Sequence, residues 1–538
     1  MSAAGVGDNG QVKKTVVVAE QISPAGMALL AEEVEVVDAV GADRPALERL
    51  LAGAHGLVVR SATDVDAALV AAAPLLEVIG RAGIGVDNID LEAATTAGVL
   101  VVNAPTANAI SAAEHTMALL LAQARSVPEA DASLRRGAWE RSRFRGVELH
   151  GKVLGVVGLG RIGGMVAERA AAFGMEVLAH DPYVAPERAR RLGVELVDDL
   201  ATLLGQCDFL TIHLPLTRDT EGLIDAAALA SARDGIRIVN TSRGGIVDED
   251  ALAAAVRSGK VAGAALDVFA SEPLTASPLF DLPQVVLTPH LGASTVEAQD
   301  KAGTDVARAV ADALRGELVT TAVNLDLGRD VPDELAAFLP VAERLGGVLV
   351  ALAQGLPGTL AVRAEGRLAD LPVRPLALAA IKGVVARVTD QPVSFVNAPA
   401  LAEARGMRVV EESAAGIEDY AAVVRLTGTV GDRTLSLAGS VIGRKGAVVV
   451  EALDHQIELP ISDFMLIVLN EDVPGVIGRV GTYLGEQGIN IANMVVGRSP
   501  TGDSAMMGLN LDRSMTEPEV EGFRALGGVE RAWPVDLS

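Results

Sequence analysis

At 538 residues the chain exceeds what one hydrophobic core serves, so several domains are expected. A net charge of -25 repels nucleic acid and anionic membrane surfaces alike, and 50% hydrophobic against 21% charged residues is the balance of an ordinary globular protein. The single cysteine, Cys207, excludes an intramolecular disulfide and fits a reducing, cytoplasmic setting, and neither an apolar run of membrane-spanning length nor a metal site is expected.

Residues 1–14 are small and polar without an apolar signal core, and read as a disordered tail. From 15 to 108, apolar runs at 15–19, 34–37, 56–60, 76–81 and 99–103 alternate with helix-like stretches such as 24–33 and 46–52. That alternation predicts a parallel sheet covered on both faces. Ligands of such sheets gather at strand ends, where Arg60, Ser61, the stretch Arg81 to Gly85 and Asn103 fall. A strongly apolar helix over 111–124 follows; its His115 reads as a hydrogen-bonded core residue.

The apolar run from Val153 leads into Gly158-Leu-Gly160-Arg-Ile-Gly163, a helical run to Phe173 and a second apolar run that ends in Asp181. The first glycine permits the tight turn, the second lets a pyrophosphate approach the backbone, and the third lets the helix pack on the strand. The helix start offers free N–H groups and positive dipole to the phosphates. Asp181 would accept from both ribose hydroxyls and repel a 2′-phosphate, so NAD is favoured over NADP. Further strands at 209–214, 236–240, 263–268 and 284–287 complete a doubly wound, Rossmann-type domain over 109–289. Cys207, just ahead of one of them, reads as a buried structural thiol. A helix over 296–315 should pack back on the first domain, joining 290–324 to 15–108 and leaving two crossings that suit hinge closure.

Residues 325–460 show strand-like alternation at 359–364 and 436–442 and helix-like stretches at 335–353 and 375–388, without a catalytic constellation. Residues 461–538 read as a small βαββαβ unit.

Oxidising a 2-hydroxy acid requires a base, an orienting carboxylate and an anion holder. Arg243, Glu272 and His290 each fall just after a strand of the cofactor domain. Among the seven histidines, only His290 combines a strand end, a preceding Pro289, a following Gly292 and carboxylates upstream. Histidine titrates near neutrality, a carboxylate on its other nitrogen fixes the tautomer, and arginine offers a planar fork to a carboxylate. The alternative is that Arg243 and Glu272 form a surface ion pair and His290 merely caps a turn.

The set Gly158-x-Gly160-x-x-Gly163 with Asp181, His213-Leu-Pro-Leu-Thr217, Asn240-Thr-Ser-Arg243-Gly-Gly, Asp267-Val-Phe-x-x-Glu272-Pro and Thr288-Pro-His290-x-Gly292 resembles the D-isomer-specific 2-hydroxyacid dehydrogenases over nearly the whole chain. The resemblance implies Arg243, Glu272 and His290 as the catalytic trio, with cofactor contacts at Arg161, Ile162, Asp181, Thr241, Ser242, Asp267 and Gly292 beside the glycines. It implies substrate contacts at Arg60, Ser61 and Asn108, and at Arg141, whose Trp139-Glu-Arg141 segment resembles one that reaches a neighbouring subunit's site. A homo-oligomer, dimer or tetramer, is therefore expected. Asn470-Glu-Asp472-Val-Pro474-Gly475 and Gly488-Ile-Asn490-Ile resemble an ACT domain, a ferredoxin-like fold that binds amino acids between paired copies. The ligand implied is serine, held by Asn470, Asp472 and Asn490, although relatives usually carry His or Tyr at the first position and many carry Asn at the second. Residues 325–460 resemble the α+β intervening domain of long-form members. Its acidic end at 453–460 argues against the anion site that some relatives hold there.

The implied fold is thus α/β: a flavodoxin-like substrate domain, a Rossmann-type NAD domain, the intervening domain and the ACT domain. The implied reaction is NAD-dependent oxidation of 3-phosphoglycerate to 3-phosphooxypyruvate, which opens the phosphorylated route to serine. Rival readings are a glyoxylate or hydroxypyruvate reductase, and a non-catalytic NADH-sensing protein on the same scaffold.

Overall fold

In the computed structural model, residues 13–327, 331–416, 419–498 and 504–538 are described. All of the expected N-terminal tail except Lys13 and Lys14 lies outside them.

The first sheet is parallel and five-stranded: β1 (Thr15–Val18), β2 (Glu35–Asp38), β3 (Gly56–Val59), β4 (Val78–Arg81) and β5 (Leu100–Asn103), in the order β2-β1-β3-β4-β5. Its strands are continuously apolar because both faces are covered. Val16, Val18, Val58 and Val102 meet the helix Val296–Leu314 on one face, and Val17, Leu57, Val59 and Val101 join a separate core on the other. That distant helix crosses the helix Pro24–Glu33 at very short range. A Cβ on Gly26 would lie 2.6 Å from the Gly303 carbonyl oxygen, so only glycine fits there.

The second sheet has seven parallel strands: β6 (Val153–Val157), β7 (Glu176–His180), β8 (Glu195–Leu196), β9 (Phe209–Ile212), β10 (Ile236–Asn240), β11 (Val261–Leu266) and β12 (Val285–Leu287). The order β12-β11-β10-β9-β6-β7-β8 reverses direction beside β6, which places the glycine turn at the topological switch point. The short edge strand β8 is additional to the six runs legible in the sequence. Cys207 is fully buried, and burial pushes its thiol up to about 12, which makes it an inert core residue.

Part of the acidic surplus serves helix starts. Asp43, Asp66, Asp90, Asp199, Asp225 and Asp248 each accept a backbone N–H three residues on, an arrangement worth about 1 kcal/mol per cap.

The third sheet contains β13 (Thr359–Gly366), β14 (Arg408–Ala414), β15 (Ala422–Val430), β16 (Arg433–Ile442), β17 (Gly446–Ala452) and β18 (His455–Pro460), in the order β14-β13-β15-β16-β17-β18. The stretch expected as one helix at 335–353 is divided into Asp333–Ala336 and Leu339–Ala353. The segment Glu334–Ala353 is apolar and long enough to cross a membrane, but 67% of its most apolar 18-residue stretch is buried. Its apolarity is that of a core helix packed against Arg374–Val385 and the sheet.

The last sheet is antiparallel: β19 (Phe464–Glu471), β20 (Ile491–Arg498), β21 (Ser504–Leu511) and β22 (Val529–Asp536), in the order β20-β21-β19-β22. The helices Val476–Glu486 and Glu517–Arg524 cover one face. On the other face Met465, Ile467, Met506, Trp533 and Val535 share a core with Leu345 and Leu349 of the preceding domain. The last two domains therefore pack as one hydrophobic unit.

Candidate active site

Strand ends of the first two sheets supply the cleft. At the β6 turn Gly158 has φ +90°, and a Cβ there would lie 2.6 Å from the His213 carbonyl oxygen. A Cβ on Gly163 would lie 2.1 Å from the Gly158 carbonyl oxygen, whereas one on Gly160 would meet nothing within 4 Å. Two glycines thus let the turn close, and the middle one borders open space. Gly160 begins the helix Arg161–Ala172 without a side-chain cap, so free N–H groups and helix dipole face that space. Asp181 follows β7 beside it, with Oδ2 accepting from Leu159 N–H at 2.8 Å and Oδ1 from Tyr183 N–H at 2.9 Å. Each carboxylate oxygen keeps acceptor capacity for a hydroxyl. These residues fit a dinucleotide. Exposed Arg161 reaches the Pro105 carbonyl at 3.3 Å, Ile162 is partly buried, and Thr241 is bonded through its hydroxyl to Thr116 at 2.7 Å. Burial holds the His213 imidazole down at about 4, so it is neutral beside the turn.

Three segments meet at the other end of the cleft. His290 Nδ1 lies 2.7 Å from Glu272 Oε2, while Glu272 Oε1 accepts from Phe269 N–H at 2.9 Å. Among the described residues the other ring nitrogen of His290 has no hydrogen-bond partner. The Arg243 loop abuts this segment, since a Cβ on Gly244 would lie 1.8 Å from the Phe269 carbonyl oxygen. Arg243 donates from Nη1 to the Ser242 carbonyl at 2.8 Å and from Nε to Asp87 Oδ2 at 3.2 Å, which ties it across the cleft to the first domain. Asn240, 1% exposed, clamps the loop: its amide donates to the Arg243 carbonyl at 2.8 Å, and its Oδ1 accepts from the Ser242 backbone N–H and hydroxyl.

Opposite Arg243 stands Arg81, whose buried Nε has no partner. Burial, then the charge of Arg243, lowers its pKa, while the charges of Asp87 and Glu20 offset part of that. Gly83 and Gly85 make room for this group: a Cβ on Gly83 would strike Arg81 Nη1 at 1.6 Å, and one on Gly85 would strike Arg243 Nη2 at 2.2 Å. Glu20 holds the neighbouring turn by accepting backbone N–H groups of Arg60 and Thr63 at 2.9 Å. Ser61 is exposed in that turn, and Asn108 keeps a buried Oδ1 without a partner at the start of the helix Ala109–Ala124. Sequence reasoning does not mark Glu20 as a site residue, and it marks Arg81 and Asn240 only by their place at strand ends.

Some expected residues stand elsewhere. Asp267 is 0% exposed, with Oδ1 accepting from the Thr288 hydroxyl and Leu291 N–H and Oδ2 from Gly292 N–H around the His290 loop. Gly292 is one of those donors. Arg141 is exposed on the short Arg141–Arg143 turn and forms no hydrogen bond or ion pair among the described residues; Trp139 beside it is 83% exposed. In the last domain Asn470 stands one residue before the end of β19, 4% exposed, with its Oδ1 buried and unpartnered, and Asp472 follows the strand on an exposed loop. Asn490 is not beside them. The β19–β21 register sets Asn470 against Ala505 and Met465 against Asn510, while the Asn490 N–H bonds Asp512. Asn490 thus lies at the other end of β19, about 20 Å away at strand rise.

Comparison with known proteins agrees with this layout. Residues 117–292 match the model for the D-isomer specific 2-hydroxyacid dehydrogenase NAD binding domain, 334–452 that for the D-3-phosphoglycerate dehydrogenase intervening domain, and 464–528 that for the ACT domain. The chain is 48% identical over 504 residues to D-3-phosphoglycerate dehydrogenase of Mycobacterium leprae, covering 93% of this chain and 95% of that one. It is 41% identical to the enzyme of the same name from Methanocaldococcus jannaschii, covering 97% and 99%. Among solved structures, the TT0316 protein from Thermus thermophilus superposes with TM-score 0.54 at 35% identity over 57% of this chain and 99% of that one. A glyoxylate reductase from Paecilomyes thermophila superposes with TM-score 0.54 at 29% identity, over 58% and 98%.

Proposed function

The chain belongs to the D-3-phosphoglycerate dehydrogenase family, and we propose that it oxidises 3-phosphoglycerate to 3-phosphooxypyruvate with NAD, the first step of phosphorylated serine biosynthesis, in the cytoplasm. The observation that carries the substrate assignment is Arg81 and Arg243 side by side over Gly83 and Gly85, with Arg60 on the strand end next to Arg81, at the cleft that holds the His290–Glu272 pair. An unphosphorylated 2-hydroxy acid needs one cation for its carboxylate; a phosphorylated one also needs partners for the phosphate.

NAD bound over the glycine turn would supply the hydride acceptor. His290 takes the C2 hydroxyl proton on Nε2, because Nδ1 is occupied by Glu272, and the carboxylate steadies the imidazolium that results. Arg243 receives the substrate carboxylate and the negative charge that builds on the C2 oxygen. Arg60 and Arg81 face the phosphate, with Ser61 and Asn108 as neutral donors. The exposed Trp139–Arg141 segment is covered by a second copy, which brings Arg141 to the neighbouring cleft.

Full-length protein given 3-phosphoglycerate and NAD should release NADH. NADH binding without turnover of any 2-hydroxy acid would instead mean a sensing protein. Asp181→Ala should erode the preference for NAD over NADP by about tenfold or more, roughly one lost charge-assisted interaction. Unchanged cofactor selectivity would remove Asp181 from the ribose contact.

Regulation by serine follows from the last domain. Because Asn490 stands at the far end of β19 from Asn470 and Asp472, a single serine meets all three only between two copies. Asn470→Ala and Asn490→Ala should each raise the serine concentration for half-inhibition about tenfold or more. Mixed dimers of the two variants should regain one sensitive site, since each chain supplies the residue its partner lacks. Mixed dimers as insensitive as the parents would exclude a shared site.

A further inference from the structure

The hydrogen bonds around Asp267 converge on His290 from beneath. Asp267 Oδ1 accepts from the Thr288 hydroxyl at 2.6 Å and from Leu291 N–H at 2.8 Å, and Oδ2 accepts from Gly292 N–H at 2.8 Å. The His290 N–H is itself bonded to the Asp267 carbonyl oxygen at 2.9 Å. The remaining neighbour comes from a different element: His115, on the helix Ala109–Ala124, places Nε2 3.1 Å from Asp267 Oδ1 and 3.2 Å from Thr288 Oγ1.

This arrangement has conformational work to do. His290 sits at φ +55°, in the left-handed region that residues with a side chain rarely occupy and that persists only where the surroundings over-determine it. The residues on both sides of His290 hang on one fully buried carboxylate, which needs its full set of donors to stay ionised there. In that conformation the His290 ring meets Glu272. Losing the His115 donor would leave Oδ1 short of one hydrogen bond and let the carboxylate turn, and the loop with it.

We propose that His115 is a positioning residue for the oxidation, acting through Asp267 to hold the His290–Gly292 loop in the geometry that pairs His290 with Glu272. The inference rests on the reading of His290 as the base.

The test uses full-length protein and the variants His115→Leu, His115→Gln and Asp267→Asn. It measures kcat and KM for 3-phosphoglycerate, the NADH dissociation constant by fluorescence, and the melting temperature. His115→Leu should lose about 10- to 100-fold in kcat while NADH affinity stays within about twofold. His115→Gln, which keeps an N–H donor, should recover most of the loss. Asp267→Asn, which sets an amide against backbone N–H groups, should show the same loss of kcat, and it decides between the two outcomes if His115→Leu does not fold. The inference is overturned if His115→Leu turns over within about threefold of the wild type, or if glutamine does no better than leucine, or if Asp267→Asn keeps wild-type kcat, or if NADH affinity falls in step with kcat in the His115 variants. A wild type that makes no NADH from 3-phosphoglycerate in the same assay would instead overturn the assignment of the reaction.

Discussion

Replacing His290 by alanine is expected to lower kcat for 3-phosphoglycerate oxidation by about 10²- to 10⁴-fold, the usual contribution of a general base. NADH affinity should stay within about twofold, because the variant removes a proton acceptor and leaves the glycine turn and Asp181 in place. The geometry makes the two effects separable. Gly158, Gly160, Gly163 and Asp181 stand at β6 and β7, whereas His290 follows β12 at the far edge of the same sheet. Glu272→Gln should retain a hydrogen-bond partner for Nδ1 but lose the charge that stabilises the imidazolium, with an intermediate loss. Rapid mixing to follow NADH absorbance, with fluorescence titration of NADH, reads both quantities. A His290→Ala enzyme near wild-type turnover would remove that residue from the chemistry.

Arg243→Lys is expected to cost about 10²- to 10³-fold in kcat/KM for 3-phosphoglycerate, comparable to losing a donor at a developing oxyanion. Lysine preserves the charge and so isolates the fork. In place, Arg243 spends Nη1 on its own loop and Nε on Asp87, and Nη2 lies against Gly85. A lysine ammonium is a single point of donation and cannot both hold the loop and receive a carboxylate. The partner Asp87 is 69% exposed, so the ion pair is worth at most about 1 kcal/mol and steers the guanidinium without competing with substrate. A loss confined to NAD affinity would show that Arg243 belongs to the cofactor side.

The parts of this site legible in the sequence are those in which a residue type is dictated by local backbone geometry. Gly158 must adopt positive φ, Gly163 must let the helix touch the turn, and Asp181 must follow the next strand; all three requirements act within one strand-helix-strand unit. Arg243, Glu272 and His290 are visible because strand ends of a doubly wound sheet are where ligands sit. Arg81 and Asn240 occupy the same kind of position; Asn240 acts locally, clamping Ser242 and Arg243, whereas the part of Arg81 depends on neighbours from other segments. Arg60 and Arg81 are neighbours within the first sheet, and Arg243 joins them only once the two domains face each other.

His115 shows the limit most plainly. Its apolar helix marks it as a hydrogen-bonded core residue, which it is, yet the partner that gives the bond meaning follows β11. Asn470 and Asn490 fail to group for the opposite reason. Their motifs are close in sequence, but the helix between them returns the chain to the other end of β19. The sharing of one core by the last two domains is equally hidden, because both faces of an antiparallel sheet can look apolar when one packs on its own helices and the other on a neighbour.

The most direct measurement is kcat/KM of the full-length protein for 3-phosphoglycerate beside glycerate, the same 2-hydroxy acid without its phosphate, with NAD saturating. The expected result is a preference for the phosphorylated acid of about 100-fold or more, a loss of two or so charge-assisted contacts, and its collapse in Arg81→Ala with turnover of glycerate little changed. Equal or faster oxidation of glycerate by the wild type would contradict the assignment of the arginine cluster to a phosphate.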